Sequence, residues 1–319
     1  MIYAVWLPLL IPLLAVPAAR YSAERLAPRP AAWLLLSCTV LLAASSTAAL
    51  CALAVLGLLL LNPIAALADF SPESLTGHTA LALWTAPVAM GLLLLGLAQV
   101  TRVLGRHHRE VRSAQRATGP DAGELTVHPD DHPYAYALPG RRGSPGNIVV
   151  SAAMLRALQP REREALFAHE RAHLAGHHHR FLAAAQLSAL LHPALRALRT
   201  PLAYALERWA DEAAAEAVGD RKLAAKAISR AALAAQESKS PAARRGAILA
   251  TAGGAVPRRV KALIHDGGTA PTGWRRCWGY AVAATLVVCL GVSAATGVDA
   301  VEDLHLNVRI AQNHTEPHG

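Results

Sequence analysis

Apolar residues in this 319-residue chain are gathered into blocks rather than spread evenly. Four stretches, 2–19, 31–61, 81–104 and 280–297, are nearly free of charge. Each is long enough to cross hydrocarbon about 30 Å thick, which takes about 20 helical residues. The second is longer than one perpendicular crossing and predicts a tilted helix or one that runs past the bilayer. Pro8, Pro12 and Pro17 make the first the least regular. No Lys or Arg precedes it, as a cleaved signal peptide would require, so it reads as a retained anchor. Between the third and fourth blocks the pattern changes to that of a small α+β unit. Positions 134–138 and Asn147–Ser151 read as two strands flanking a Pro- and Gly-rich turn. Pro160 then suits the first position of a helix, with Glu162 and Glu164 in the first turn, where the helix dipole favours acids.

Composition narrows the class. The chain is 53% hydrophobic but only 17% charged, against about 25% charged in ordinary soluble domains. That excludes both a disordered chain and an average soluble enzyme of this length. The net charge of +9 leaves two classes, a basic nucleic-acid binder and a membrane protein with its arginines on one side. The loops separate them. Arg20, Arg25 and Arg29 follow the first block, and Arg102, Arg106, Arg109, Arg112 and Arg116 follow the third. Arg275 and Arg276 precede the fourth, whereas 62–80 holds Asp69 and Glu73 and no Lys or Arg. Positive-inside sorting then predicts a multi-pass protein of the cell membrane, with both termini extracytoplasmic and 105–273 cytoplasmic. No helix-turn-helix, finger or aromatic RNA platform is present, so direct nucleic-acid binding is not expected. The organisation expected is mainly α: a membrane domain over 1–104 with three spanning helices, a cytoplasmic α+β domain over 105–273, a fourth spanning helix within 274–297 and a short tail over 298–319. Cys38, Cys51, Cys277 and Cys289 show no metal-ligand spacing and imply no disulfide.

The chemistry sits late in the Pro160 helix, at His169-Glu170-Arg171-Ala172-His173. Residues i and i+4 share a helical face, so two imidazoles can meet one ion with Glu170 beside them to take a proton from the attacking water. A catalytic zinc usually needs a third protein ligand and an open position. Glu207 in Glu207-Arg208-Trp209-Ala210-Asp211 suits that role, and Asp211, one turn on, suits a hydrogen bond that orients a ligand histidine. His177 continues the row from His173 and competes as a ligand, although the tract His177-His178-His179 equally suits solvent or a place behind the ligands.

At 168–173 and 207–211 the chain resembles the membrane-embedded gluzincin peptidases of the HtpX and CaaX-protease type and their relatives in BlaR-type signalling. The likeness extends over about 133–263 and takes in the strand pair and the segment Val256-Pro257-Arg258-Arg259-Val260-Lys261-Ala262-Leu263. It implies one Zn²⁺ per chain on His169, His173 and Glu207, Glu170 as catalytic base, and Asp211 as the acid orienting a ligand. His178 falls where relatives carry His or Asp behind the zinc helix. The activity implied is a zinc endopeptidase acting on membrane or membrane-proximal proteins at the cytoplasmic face. The partners expected are the lipid bilayer and a protein or peptide substrate, which would pair with an edge of the small sheet at Asn147–Ser151. A regulatory peptidase that cleaves a cytosolic transcriptional repressor, and a non-proteolytic zinc-binding signalling protein, are the alternatives. The 298–319 tail is far too short for the penicillin-binding sensor of the BlaR type.

Overall fold

The computed structural model describes residues 9–59 (14, 16, 20 and 22–24 excepted), 79–118, 123–140, 146–236 and 256–265, with isolated positions at 281, 284 and 291. The described residues are mostly helical, with a small sheet among them. Two of the four apolar blocks form long helices, α1 (Pro28–Leu59) and α2 (Thr79–Thr118). Both are long and apolar enough to cross a membrane by length and composition. The first block is helical at its described positions from 9 onward, and the fourth lies outside the described residues except for three positions.

Hydroxyls inside α1 satisfy themselves locally. Thr39, Ser46 and Thr47 donate to the carbonyls of Leu35, Leu42 and Ala43 at 2.6, 2.8 and 2.8 Å, which suits a helix without water around it. Large apolar side chains stay exposed on both helices, including Trp33 and Leu41 on α1 and Trp84, Val88, Leu94 and Leu97 on α2. The helix α2 outruns its apolar block because the residues after Leu104 are mostly Arg, Gln, Glu and Ala, which continue a helix readily. Its extension docks on the sheet through Ala114, which packs with Tyr134, Tyr136, Leu138 and Val149, and through Gln115 Nε2, which donates to Pro139 O at 2.9 Å.

The sheet has three strands in the order β1-β3-β2: β1 (Leu125–His128), β2 (Ala135–Leu138) and β3 (Asn147–Ser151). Strand β2 pairs antiparallel with β3, Tyr136 opposite Val149, as the two-strand reading requires. Strand β1 is an addition and runs parallel to β3, Thr126 opposite Val149. This corrects the expected docking edge: β3 is the central strand, buried throughout, and has no free edge to offer a substrate.

Helices α3 (Ala152–Ala157), α4 (Pro160–Ala175), α5 (His178–Leu191), α6 (Arg196–Val218), α7 (Arg221–Gln236) and α8 (Val256–His265) follow, with a 3-10 turn at Pro193–Leu195. The largest apolar cluster joins the early turns of α1 (Ala31, Leu35, Cys38, Leu42) to Phe181 and Ala185 of α5 and Leu198, Leu202 and Leu206 of α6. The apolar helix and the helices bearing the predicted site therefore share one core. His192 Nε2 adds a tie to Leu9 O at 3.0 Å.

Candidate metal centre

Helix α4 starts at Pro160, as its fixed φ favours, and Glu162 Oε2 accepts the Gln159 N–H at 2.9 Å. Glu162 is also gripped by Arg230 of α7, with Nη1 3.0 Å from both carboxylate oxygens, so the helix is fixed at the end remote from the chemistry. Burial alone would raise the Glu162 carboxyl, but the Gln159 N–H and Arg230 outweigh it and hold it below the usual range. Fifteen Å or so along the axis, at about 1.5 Å per residue, come the two histidines.

His169 Nε2 and His173 Nε2 face each other at 3.1 Å. Glu207 of α6 completes the triangle, with Oε2 3.7 Å from His169 Nε2 and Oε1 3.5 Å from His173 Nε2. One ligand atom from each residue falls within 4.8 Å of the others. Bonds of about 2.0–2.1 Å to a tetrahedral zinc separate donor atoms by roughly 3.3 Å, so the observed spacings fit such an ion. The donor set of two imidazoles and one carboxylate suits zinc as well.

The surroundings determine which nitrogen is free. His169 Nδ1 lies 3.1 Å from Asp211 Oδ1, so its proton belongs there and Nε2 offers a lone pair. His173 Nδ1 lies 2.7 Å from His178 Nδ1, and the same tautomer follows for His173 if His178 accepts. His178 is 1% exposed, its ring 4.6 Å from Trp209 and 4.7 Å from His173. Burial pushes it down to about 4, so it is neutral and able to accept. Burial likewise holds His173 well below its ordinary value. His169 is the contrast: burial would lower it, but Asp211 and Glu207 more than reverse that and raise it. Helix α4 ends at Gly176, and its missing side chain leaves room for the His178 ring, which a Cβ there would strike. His177, in the left-handed conformation at φ 50°, turns the chain into α5 and is exposed, outside the ligand group.

Glu170 is buried beside the triad, with the Ala137 N–H of β2 among the groups that act on its carboxyl. Burial, reinforced by Glu207, raises its carboxyl to about 7 against the opposing pull of His169, the Ala137 N–H and Arg259. All six residues singled out from the sequence, His169, Glu170, His173, His178, Glu207 and Asp211, thus meet in one place. Arg259 joins them without having been given a role. It lies within the 256–263 segment picked out by resemblance, but only the packing of α8 against α6 sets its guanidinium on Glu207 and Asp211.

Residues 102–198 match the profile of Peptidase family M48, which indicates a peptidase-type domain there and, through the family, dependence on a metal. The matched stretch contains His169 and His173 and stops short of Glu207, Asp211 and Arg259. No curated protein and no solved structure gives a significant match.

Proposed function

We propose that this chain is an integral membrane zinc endopeptidase that hydrolyses peptide bonds of membrane or membrane-proximal proteins at the cytoplasmic face. The observation that carries the reading is the meeting of His169, His173 and Glu207 from two helices, with Glu170 buried next to the first ligand.

A zinc ion held by His169, His173 and Glu207 would polarise the scissile carbonyl and acidify a water molecule. Glu170 accepts the proton of the attacking water and passes it to the leaving amine. Asp211 and His178 hold the two imidazoles in the tautomer that leaves Nε2 unprotonated. For the substrate, the unpaired edge of β2 replaces the β3 edge. The Ser151 N–H donates to Tyr134 O, so alternate residues 134, 136 and 138 face β3 while Ala135 and Ala137 turn their polar groups outward. An extended peptide laid along that edge would run past Glu170, and recognition would be largely backbone-driven.

Exposed apolar side chains on α1 and α2 support a lipid-facing surface, since an aqueous helix rarely leaves so many large ones uncovered. The basic extension of α2 supports a cytoplasmic site. The test is Glu170→Gln in the full-length protein. Zinc should remain at one per chain while cleavage falls by about 10²–10⁴-fold, the usual share of a general base. Comparing the membrane proteomes of cells carrying the two forms would identify the substrates that accumulate. It would also separate broad membrane quality control from a single dedicated target such as a repressor. Cleavage at the wild-type rate by the Gln form overturns the mechanism.

A further inference from the structure

We propose that Arg259, carried on α8 about fifty residues along the chain from Glu207 and Asp211, is a positioning residue that presets both carboxylates for the metal, so that metal affinity depends on the docking of α8. The inference rests on the reading of His169, His173 and Glu207 as ligands.

The geometry is that of a planar fork spanning two carboxylates. Arg259 Nε and Nη2 reach Asp211 Oδ2 and Oδ1 at 2.8 and 2.6 Å, and Nη1 lies 2.7 Å from Glu207 Oε2. Asp211 is 2% exposed, Glu207 8% and Arg259 9%, so these contacts are made largely out of water. Asp211 Oδ1 is shared, since it also lies 3.1 Å from His169 Nδ1. One guanidinium therefore restrains a ligand carboxylate and the acid that orients a ligand imidazole. With Oε2 of Glu207 engaged, Oε1 stays turned toward His173 Nε2 at 3.5 Å. A free Glu side chain has several rotors to immobilise, and fixing them beforehand removes that entropy from the binding step.

The fork is delivered by tertiary packing. Leu263 of α8 is 2% exposed among Ala215, Ala224 and Ala225, with Val260 packed against the same group. Arg221 Nε donates to Leu263 O at 2.9 Å, while its guanidinium grips Glu212 of α6 at 2.7 Å. Anything that lifts α8 withdraws the guanidinium from both carboxylates at once.

Charge and positioning predict opposite signs. Arg259 is a cation beside a cation site, so as a mere charge its removal should tighten metal binding. As a positioning residue its removal should loosen it, by the 10–100-fold typical of groups that orient metal ligands. The experiment uses the full-length detergent-solubilised protein, with zinc titrated against a chelator and the ligand-field spectrum recorded with cobalt. Arg259→Met should bind zinc 10–100-fold more weakly. Arg259→Lys keeps the charge and loses the fork, and should also weaken binding by at least about 10-fold with a shifted cobalt spectrum. If the Met form does not fold, the Lys form decides. Arg259→Lys at wild-type affinity with an unchanged spectrum, or a Met form that binds more tightly, overturns the role of Arg259 alone. A wild-type protein without stoichiometric zinc overturns the ligand reading as well.

Discussion

Gly176 offers a sharp test of how the histidines are held. Its backbone is in the right-handed helical region (φ −77°, ψ −6°), so alanine is conformationally acceptable there and by propensity should stabilise the turn by up to about 1 kcal/mol. The obstacle is the His178 ring. A Cβ at Gly176 would come within 2.6 Å of His178 Cδ2, with Nε2 closer still, and 3.1 Å from Ala172 O. The ring has nowhere easy to go, because Trp209, His173 and Phe181 surround it at centroid distances of 4.6, 4.7 and 6.3 Å. It must therefore leave its place 2.7 Å from His173 Nδ1. Losing a group that orients a ligand histidine weakens metal binding by about 10–100-fold, or about 1.4–2.7 kcal/mol. Gly176→Ala and His178→Ala should each show that loss in a zinc–chelator competition on the solubilised protein. The double variant should be no worse than His178→Ala, since the methyl then meets no ring, and a double-mutant cycle reads the coupling directly. A Gly176→Ala form with wild-type affinity, or a penalty that persists undiminished without the ring, refutes the reasoning.

Two further outcomes test other parts of the structure. The Glu162 carboxyl is held below its ordinary value, so its contribution is fully present above an unfolded value near 4.3 and is lost as pH falls through the folded one. Glu162→Gln should therefore lower stability at neutral pH, by about 1 kcal/mol given that Arg230 is partly exposed, and the difference should vanish in acid; denaturant midpoints across pH measure it. Leu94 is 59% exposed near the middle of the third apolar block. Leu94→Lys should impair membrane insertion at a cost of about 2.5–3.5 kcal/mol, read as loss from the carbonate-resistant membrane fraction. An unchanged membrane fraction would count against a lipid-facing position, because in water such a change stays within about 0.5 kcal/mol.

Legibility followed the range of the interaction. The helix with His169 and His173 was readable because i, i+4 spacing on a capped helix is local geometry. Glu207 and Asp211 share the same one-turn logic, although their approach to α4 is a tertiary event. Strands β2 and β3 were readable from short apolar runs around a turn. Strand β1 was not, because Leu125–His128 is half exposed, in an exposed–intermediate alternation, and stands beside a partner reached only across the antiparallel β2–β3 pair. With β1 on one side of β3 and β2 on the other, the edge expected at Asn147–Ser151 is covered, and among the described residues β2 is the outer strand on the side opposite β1.

By itself the sequence determined the two long apolar helices, the paired histidines with their intervening glutamate, and the acids spaced one turn apart. All of these are set by periodicity and side-chain chemistry within a few residues. Only the tertiary structure decided that α1 shares its core with the site-bearing helices, that His178 stands behind His173 in space left by Gly176, and that Arg259 closes on Glu207 and Asp211. The physical reason is desolvation. A buried charge persists only beside its complement, and the complement to the two α6 carboxylates is supplied by a helix about fifty residues further along the chain, brought there by packing around Leu263.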